Sequence, residues 1–366
     1  MSSAHKKWMK IALNLAQRGL GNVAPNPAVG CVLVKNGILV GRGWTMPGGR
    51  PHAETIALEA AGGQAKDAVA YVTLEPCSHY GQTPPCVGAL IKAGIKSVFI
   101  AIQDPDPRVA GKGIAALKSA GIAVTVGVLA DQATTLNSGF LMKTQANRPQ
   151  FILKIASSID GKIATKSGES KWITGIEARH YGHMLRARND AILVGVNTVI
   201  ADDPSLDCRL DGLKGSTPQP IVLDSCLQTP PETQFIARAA RTPRPALIVC
   251  NRATAATEQA SALRDAGAEL IPVRDTRDLR SMASALGDRG ITRVLVEGGA
   301  LVHASFVRAG YCDEMALFTA GKILGADGLD GIANLGLAQL ASAPHLKLES
   351  CRMLGADLLA TYVNAG

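Results

Sequence analysis

The chain has 366 residues, more than one hydrophobic core usually organises, so two domains of roughly 150 residues or more are expected. Hydrophobic residues make up 47% and charged residues 19%, which excludes a disordered chain. The net charge of +8 is uneven: residues 1–147 carry 14 basic and 7 acidic side chains, the remainder 24 and 23. That excess suits an anionic metabolite or a nucleic acid, though only 14 aromatics argue against a stacking platform for single strands.

The first segment places Trp8, Ile11, Ala12 and Leu15 at helical spacing, interrupted by Asn14, Gln17 and Arg18. It reads as an amphipathic helix and not as a signal peptide. No apolar run reaches about 18 residues, so no membrane span is expected. Eight cysteines without a secretory signal are expected to be reduced, in a cytoplasmic enzyme. After a Pro/Asn loop, 22–27, the apolar run 29–34 and the segment 38–44 flank Asn36-Gly37, a hairpin signal. Helices are expected over 52–61, 87–93 and 113–120, and strands over 68–74, 97–102 and 122–128. Ala146-Asn147-Arg148-Pro149 is the linker candidate, dividing the chain into 1–147 and 148–366. Beyond it strands are expected over 151–157, 191–196, 221–224, 246–250, 269–273 and 293–296. Helices are expected over 176–188, 257–266, 278–286 and 300–309. The first half alternates as α/β layers with helices on both faces of a mixed sheet, and the second half alternates again.

His52-Ala53-Glu54 and, downstream, Pro76-Cys77 and Cys86 carry the sharpest chemistry. One imidazole and two thiolates suit Zn²⁺ and leave a fourth position for water. Glu54 is placed to take a proton from that water and return it to a leaving amine, the role assigned to such a Glu in zinc nucleobase deaminases as a class. Two blander readings fit the same letters: buried cysteines beside a surface histidine, or a closed structural site with His79 as fourth ligand. Asn26, between two prolines, is equally a turn residue.

In the second half the usual dinucleotide fingerprint is missing. Val294-Leu295-Val296-Glu297-Gly298-Gly299-Ala300 offers instead a strand, two glycines and a helix, which can present N–H groups to a phosphate or simply make a tight turn. Arg186 and Arg209 can fork a phosphate bidentately, although an isolated Arg more often ends in a surface salt bridge, and Trp172 could equally be core.

Three segments carry a resemblance in the first half. They are Cys77-Ser78-His79-Tyr80-Gly81-Gln82-Thr83-Pro84-Pro85-Cys86, whose spacer is longer than the C-x-x-C of cytidine and tRNA adenosine deaminases, Pro25-Asn26-Pro27 with Val29-Gly30, and Gly48-Gly49-Arg50-Pro51-His52-Ala53-Glu54. All three closely resemble the deaminase domain of bifunctional riboflavin-biosynthesis deaminase/reductases. In the second half, the runs 154–162, 168–173 and 197–206 with Arg186 and Arg209 resemble the reductase domain of the same family, so the likeness spans essentially the whole chain.

The resemblance implies a cytidine-deaminase-like α/β/α domain followed by a dihydrofolate-reductase-like α/β domain. The first would deaminate 2,5-diamino-6-(5-phosphoribosylamino)pyrimidin-4-one. The second would reduce the ribosyl group of 5-amino-6-(5-phosphoribosylamino)uracil to ribityl with NADPH. Zinc would sit on His52, Cys77 and Cys86, with Glu54 as proton shuttle, Asn26 orienting substrate and His79 contacting the pyrimidine. Ser170, Arg186, Leu206, Arg209 and Glu297 would hold the second substrate, with Lys154 nearby. Ala156, Trp172, Thr198, Asp202, Ser225, Gly298 and Gly299 would line the NADPH site. The family commonly forms homo-oligomers. Its phosphorylated pyrimidine substrates would account for the basic surplus without nucleic acid or membrane. A deaminase acting on RNA and a zinc-stabilised interaction protein are the competing readings. The long cysteine spacer and the few aromatics weigh against the first of these.

Overall fold

The protein is described from a computed structural model over residues 3–80, 84–107 and 110–364. The chain divides into two units, Met1–Asn147 and Arg148–Gly366.

In the first unit, α1 (Ser3–Ala16) buries Met9, Ala12, Leu13 and Ala16 at helical spacing. β1 (Gly30–Lys35) and β2 (Ile38–Trp44) follow, joined through Asn36 and Gly37, both at positive φ (52° and 76°) as a two-residue hairpin of this twist requires. Next come α2 (Ala53–Ala61), β3 (Val69–Leu74), α3 (Cys86–Lys92), β4 (Ser97–Ile102), α4 (Lys112–Ser119), β5 (Ala123–Val126), α5 (Ala130–Leu136) and α6 (Ser138–Ala146). The sheet order is β2-β1-β3-β4-β5, with β1 antiparallel to both neighbours and β3, β4 and β5 parallel. Along β1, Cys31 and Leu33 join one apolar cluster with Ala53, Ala57 and Ala61 of α2, while Val32 and Val34 join another with Met9 and Ala12 of α1. Period-2 alternation with both sets buried makes a three-layer α/β/α sandwich.

The second unit runs β6 (Gln150–Ser158), β7 (Lys162–Ala164), α7 (Ile176–Ala187), β8 (Ala191–Gly195), α8 (Val196–Asp202), β9 (Gln219–Leu223), α9 (Gln234–Ala239), β10 (Leu247–Asn251), α10 (Glu258–Asp265) and β11 (Glu269–Val273). It continues with α11 (Leu279–Asp288), β12 (Arg293–Val296), α12 (Ala300–Arg308), β13 (Glu314–Ala320), β14 (Leu329–Asp330), β15 (Leu346–Leu354) and β16 (Asp357–Asn364). The main sheet has the order β11-β10-β9-β8-β12-β6-β13-β16-β15. Its first seven strands are parallel, so their C-terminal ends share one edge, and β16 and β15 close the other side antiparallel.

The alternation expected from sequence is present, with differences at its weak points. The strand expected over 122–128 stops at Val126, because Gly127 takes φ 100°. Four helices not foreseen, α5, α6, α8 and α9, are short and six to nine residues long. Residues 310–366, where no element was expected, supply β13, β14, β15 and β16. All eight cysteines are free. Among the described residues no helix is long and apolar enough to cross a membrane.

Candidate active sites and relatives

The first site is built at the starts of two helices and the end of a strand. His52 occupies the N-cap position of α2, Glu54 lies in that helix's first turn, and Cys86 opens α3. Cys77 follows the C-terminal end of β3 by three residues. His52 Nδ1 stands 3.3 Å from Cys86 Sγ and 3.6 Å from Cys77 Sγ, and the backbone N–H of Cys86 donates to Cys77 Sγ at 3.3 Å. All three donor atoms lie within 4.8 Å of one another. Tetrahedral Zn–N and Zn–S bonds of about 2.0–2.3 Å require ligand separations of about 3.5 Å, so this set fits zinc. The Cys86 thiol and the His52 ring hold Cys77 as thiolate, its pKa brought down to about 4. Glu54 is 4% exposed, and burial, followed by the Cys77 charge, pushes its carboxyl up to about 7.

Gly49 places Asn26. Its φ is +83°, and a Cβ there would meet Asn26 Nδ2 at 2.0 Å, so glycine lets that amide lie against the segment that delivers His52. Asn137 fixes the other end of the loop by exchanging two hydrogen bonds with the backbone of Ala28, at 3.0 and 3.1 Å. His79 is half-buried, and its Nδ1 is buried without a hydrogen-bond partner among the described residues. Gly81, Gln82 and Thr83 of the spacer lie outside those residues. Glu75, not foreseen, is 3% exposed and accepts from the backbone of Asp104, Gly111 and Ile114, which clamps the loop beside Pro76-Cys77.

The second site follows the shared C-terminal edge of the parallel strands, where open α/β sheets bind ligands. A cavity of about 490 Å³ opens there, lined among others by Lys154, Ala156, Trp172, Arg186, Arg209 and Glu297. Glu297 follows β12 at its heart. Arg186 closes on it bidentately, Nε to Oε1 at 2.8 Å and Nη2 to Oε2 at 2.9 Å, while Nη1 donates to the Asp207 carbonyl at 3.0 Å. Lys154 Nζ lies 3.7 Å from the same carboxylate. Burial alone would raise the Glu297 carboxyl, but Arg186 and Lys154 hold it down at about 2. The Arg186 fork is thus engaged by Glu297, and a phosphate in this cavity meets Arg209 first. The Arg209 side chain is 62% exposed, its Nε 3.6 Å from Asp207.

Trp172 is 59% exposed and not core, with the Arg179 guanidinium 4.5 Å over its ring and Lys322 Nζ on its carbonyl. Leu206 packs its side chain in the apolar core at φ 49°, and its carbonyl accepts from Arg238 Nη2 at 3.4 Å. Ser170 is exposed in the segment before Trp172. Thr198 is half-buried and Asp202 exposed on α8, which starts directly at the end of β8, and Ser225 follows β9. Gly298 is explained by packing, since a Cβ would meet Val302 at 2.6 Å, whereas over Gly299 the space is open. The open backbone at the start of α12, together with the cation-lined cavity, suits a phosphorylated dinucleotide.

Arg179 and His183 are among the lining residues that were not foreseen. Arg179, His183 and Arg186 recur at i, i+4 and i+7 on α7, so all three share one face, a signal present in the letters. His183 Nδ1 accepts the backbone N–H of Arg209 at 3.4 Å, and burial, Arg186 and Arg209 lower its pKa. These effects favour the uncharged ring.

One unit equipped for hydrolytic removal of an amine and one for reduction by a dinucleotide define a two-domain deaminase/reductase. Known proteins agree in both halves. Residues 2–102 match the model of the cytidine and deoxycytidylate deaminase zinc-binding region, and residues 149–360 that of the RibD C-terminal domain. The chain is 41% identical to riboflavin biosynthesis protein RibD of Aquifex aeolicus over 98% of each chain, and 41% identical to that of Escherichia coli over 98% and 99%. A solved structure of Acinetobacter baumannii RibD superposes with a TM-score of 0.88 at 38% identity, covering 99% of both chains. The deaminase/reductase of Thermotoga maritima does so at 0.85 and 32%, again over 99% of both. The chain belongs to the RibD family: it is a bifunctional deaminase and reductase of riboflavin biosynthesis. Its N-terminal domain is cytidine-deaminase-like and takes zinc, and its C-terminal domain is dihydrofolate-reductase-like and uses NADPH.

Proposed function

We propose that the two sites act in sequence on one phosphoribosylated pyrimidine. Residues 1–147 deaminate 2,5-diamino-6-(5-phosphoribosylamino)pyrimidin-4-one, and residues 148–366 reduce the ribosyl group of the resulting 5-amino-6-(5-phosphoribosylamino)uracil to ribityl. The observation that carries this reading is the buried Glu54 beside the His52/Cys77/Cys86 set in the same chain as the Arg186–Glu297 cavity. The Thermotoga maritima relative is described by these two activities.

In the first site zinc, when bound, supplies Lewis-acid activation of a water. Glu54 takes a proton from the attacking water and delivers it to the departing amine, Asn26 orients the ring, and His79 Nδ1 meets a polar edge of the pyrimidine. In the second, NADPH supplies the hydride. Lys154, Ser170, Arg209 and the backbone of Leu206 position the substrate, with Glu297 held in place by Arg186. His183, which lines the same cavity, adds an imidazole able to hydrogen-bond the substrate. Ala156, Trp172, Thr198, Asp202, Ser225 and the Gly298-Gly299 turn hold the cofactor. We assign the basic surplus to phosphate groups and not to nucleic acid, and infer a cytoplasmic homo-oligomer that does not engage membranes.

An ultraviolet assay with the diaminopyrimidine substrate tests the order: ammonia release without NADPH, and NADPH consumption only once deaminated product is present. NADPH oxidation that precedes ammonia release would exclude it. Cys77→Ser should lower the zinc content by elemental analysis and stop ammonia release. The same variant should still oxidise NADPH when the deaminated intermediate is supplied, because the two sites share no residue. Unchanged zinc stoichiometry would remove Cys77 from the ligand set.

A further inference from the structure

The residues assigned to NADPH step along one edge of the second sheet. They begin at β6 and β12, beside the cavity, pass through Thr198 and Asp202 after β8, and reach Ser225 after β9. The inference below rests on that assignment. The nicotinamide end must reach the substrate cavity, so the adenosine end lies toward Ser225. The next strands to leave the sheet on that side are β10 and β11.

Hydrogen bonds tie those three exits together. Ser225 Oγ pairs with Thr276 Oγ1 at 2.5 Å, the Asn251 N–H and the Thr254 hydroxyl donate to the Ser225 carbonyl, and Thr276 N–H donates to Asn251 Oδ1 at 3.0 Å. Asn251 and Val273 are register partners, so the residues that follow them, Arg252 and Arg274, leave neighbouring strands side by side. Adjacent strands lie about 4.8 Å apart. Both arginines are exposed, and among the described residues neither has an ion-pair partner. Arg277 in the same loop differs, since Asp275 holds it at 2.9 Å. Two like charges at adjoining positions repel, and a dianion between them reverses the sign of that interaction. Guanidinium forks also match phosphate geometry, and an Arg near the ribose accommodates a 2′-phosphate in other dinucleotide sites.

We propose that Arg252 and Arg274 grip the 2′-phosphate of NADPH and so set its preference over NADH. The test is calorimetric titration of the full-length protein with adenosine 2′,5′-bisphosphate and with 5′-AMP, alongside kcat/KM for NADPH and NADH. Arg252→Ala and Arg274→Ala are each expected to weaken the bisphosphate about tenfold while leaving 5′-AMP within twofold. The NADPH-to-NADH ratio should fall by a similar factor, with Arg252→Lys recovering part of it. Ser225→Ala, in contrast, should weaken both nucleotides. If the wild type prefers the bisphosphate and the double variant keeps that preference, the proposal is overturned while the cofactor site stands. If the wild type binds neither nucleotide, the cofactor assignment fails and the proposal falls with it.

Discussion

Glu54→Gln is expected to cut ammonia release by roughly 10²–10⁴-fold, the usual range for a lost general acid/base, while zinc stays bound. The substitution keeps the shape of the side chain at a site only 4% exposed, so no cavity opens. It also removes an acid whose charged form burial penalises, so thermal stability should not fall. The three ligand atoms are untouched, and elemental analysis should return the wild-type zinc content. Supplied with deaminated intermediate, the variant should oxidise NADPH at the wild-type rate. Ammonia release within tenfold of wild type would take Glu54 out of the proton path.

The zinc set was legible because its parts are short-range. His52 and Glu54 share one helix start, and Cys86 opens the next helix, so local signals placed three of four residues before any tertiary information was needed. Glu75 was not legible, since a lone acid before Pro76 carries no period and no motif; only the return of the chain at Asp104, Gly111 and Ile114 explains it. In the second half the strand-turn-helix at Glu297 could be read, but the letters left open whether Gly298 served packing or a ligand. Contact with Val302 assigns it to packing. Arg186 resembled a free phosphate fork because its partner lies 111 residues away in sequence. The antiparallel strand β15 escaped notice for a different reason. Its residues are almost all exposed, so no apolar run marks it.

Arg186→Met should destabilise the second unit by about 3–5 kcal/mol, the range for removing one partner of a buried ion pair. The loss comes from what remains: Glu297, 11% exposed at its side chain, would keep only Lys154 at 3.7 Å to offset its desolvation. Arg186→Met combined with Glu297→Gln removes both charges and should recover most of that loss, because a neutral pair needs no counter-ion. Urea unfolding followed by Trp172, the one tryptophan beyond residue 147, reports on this unit. The pH dependence has a defined sign. A carboxyl whose folded pKa is about 2, below the ordinary glutamate value of 4.5, contributes stability that is complete above the unfolded value and lost as pH falls through the folded one. The gap between wild type and Arg186→Met should therefore be full at neutral pH and close as pH falls from 4.5 toward 2. A loss under about 1 kcal/mol, independent of pH, would mean that the pair behaves as an exposed one. Arg186 would then be free to turn toward a phosphate after all.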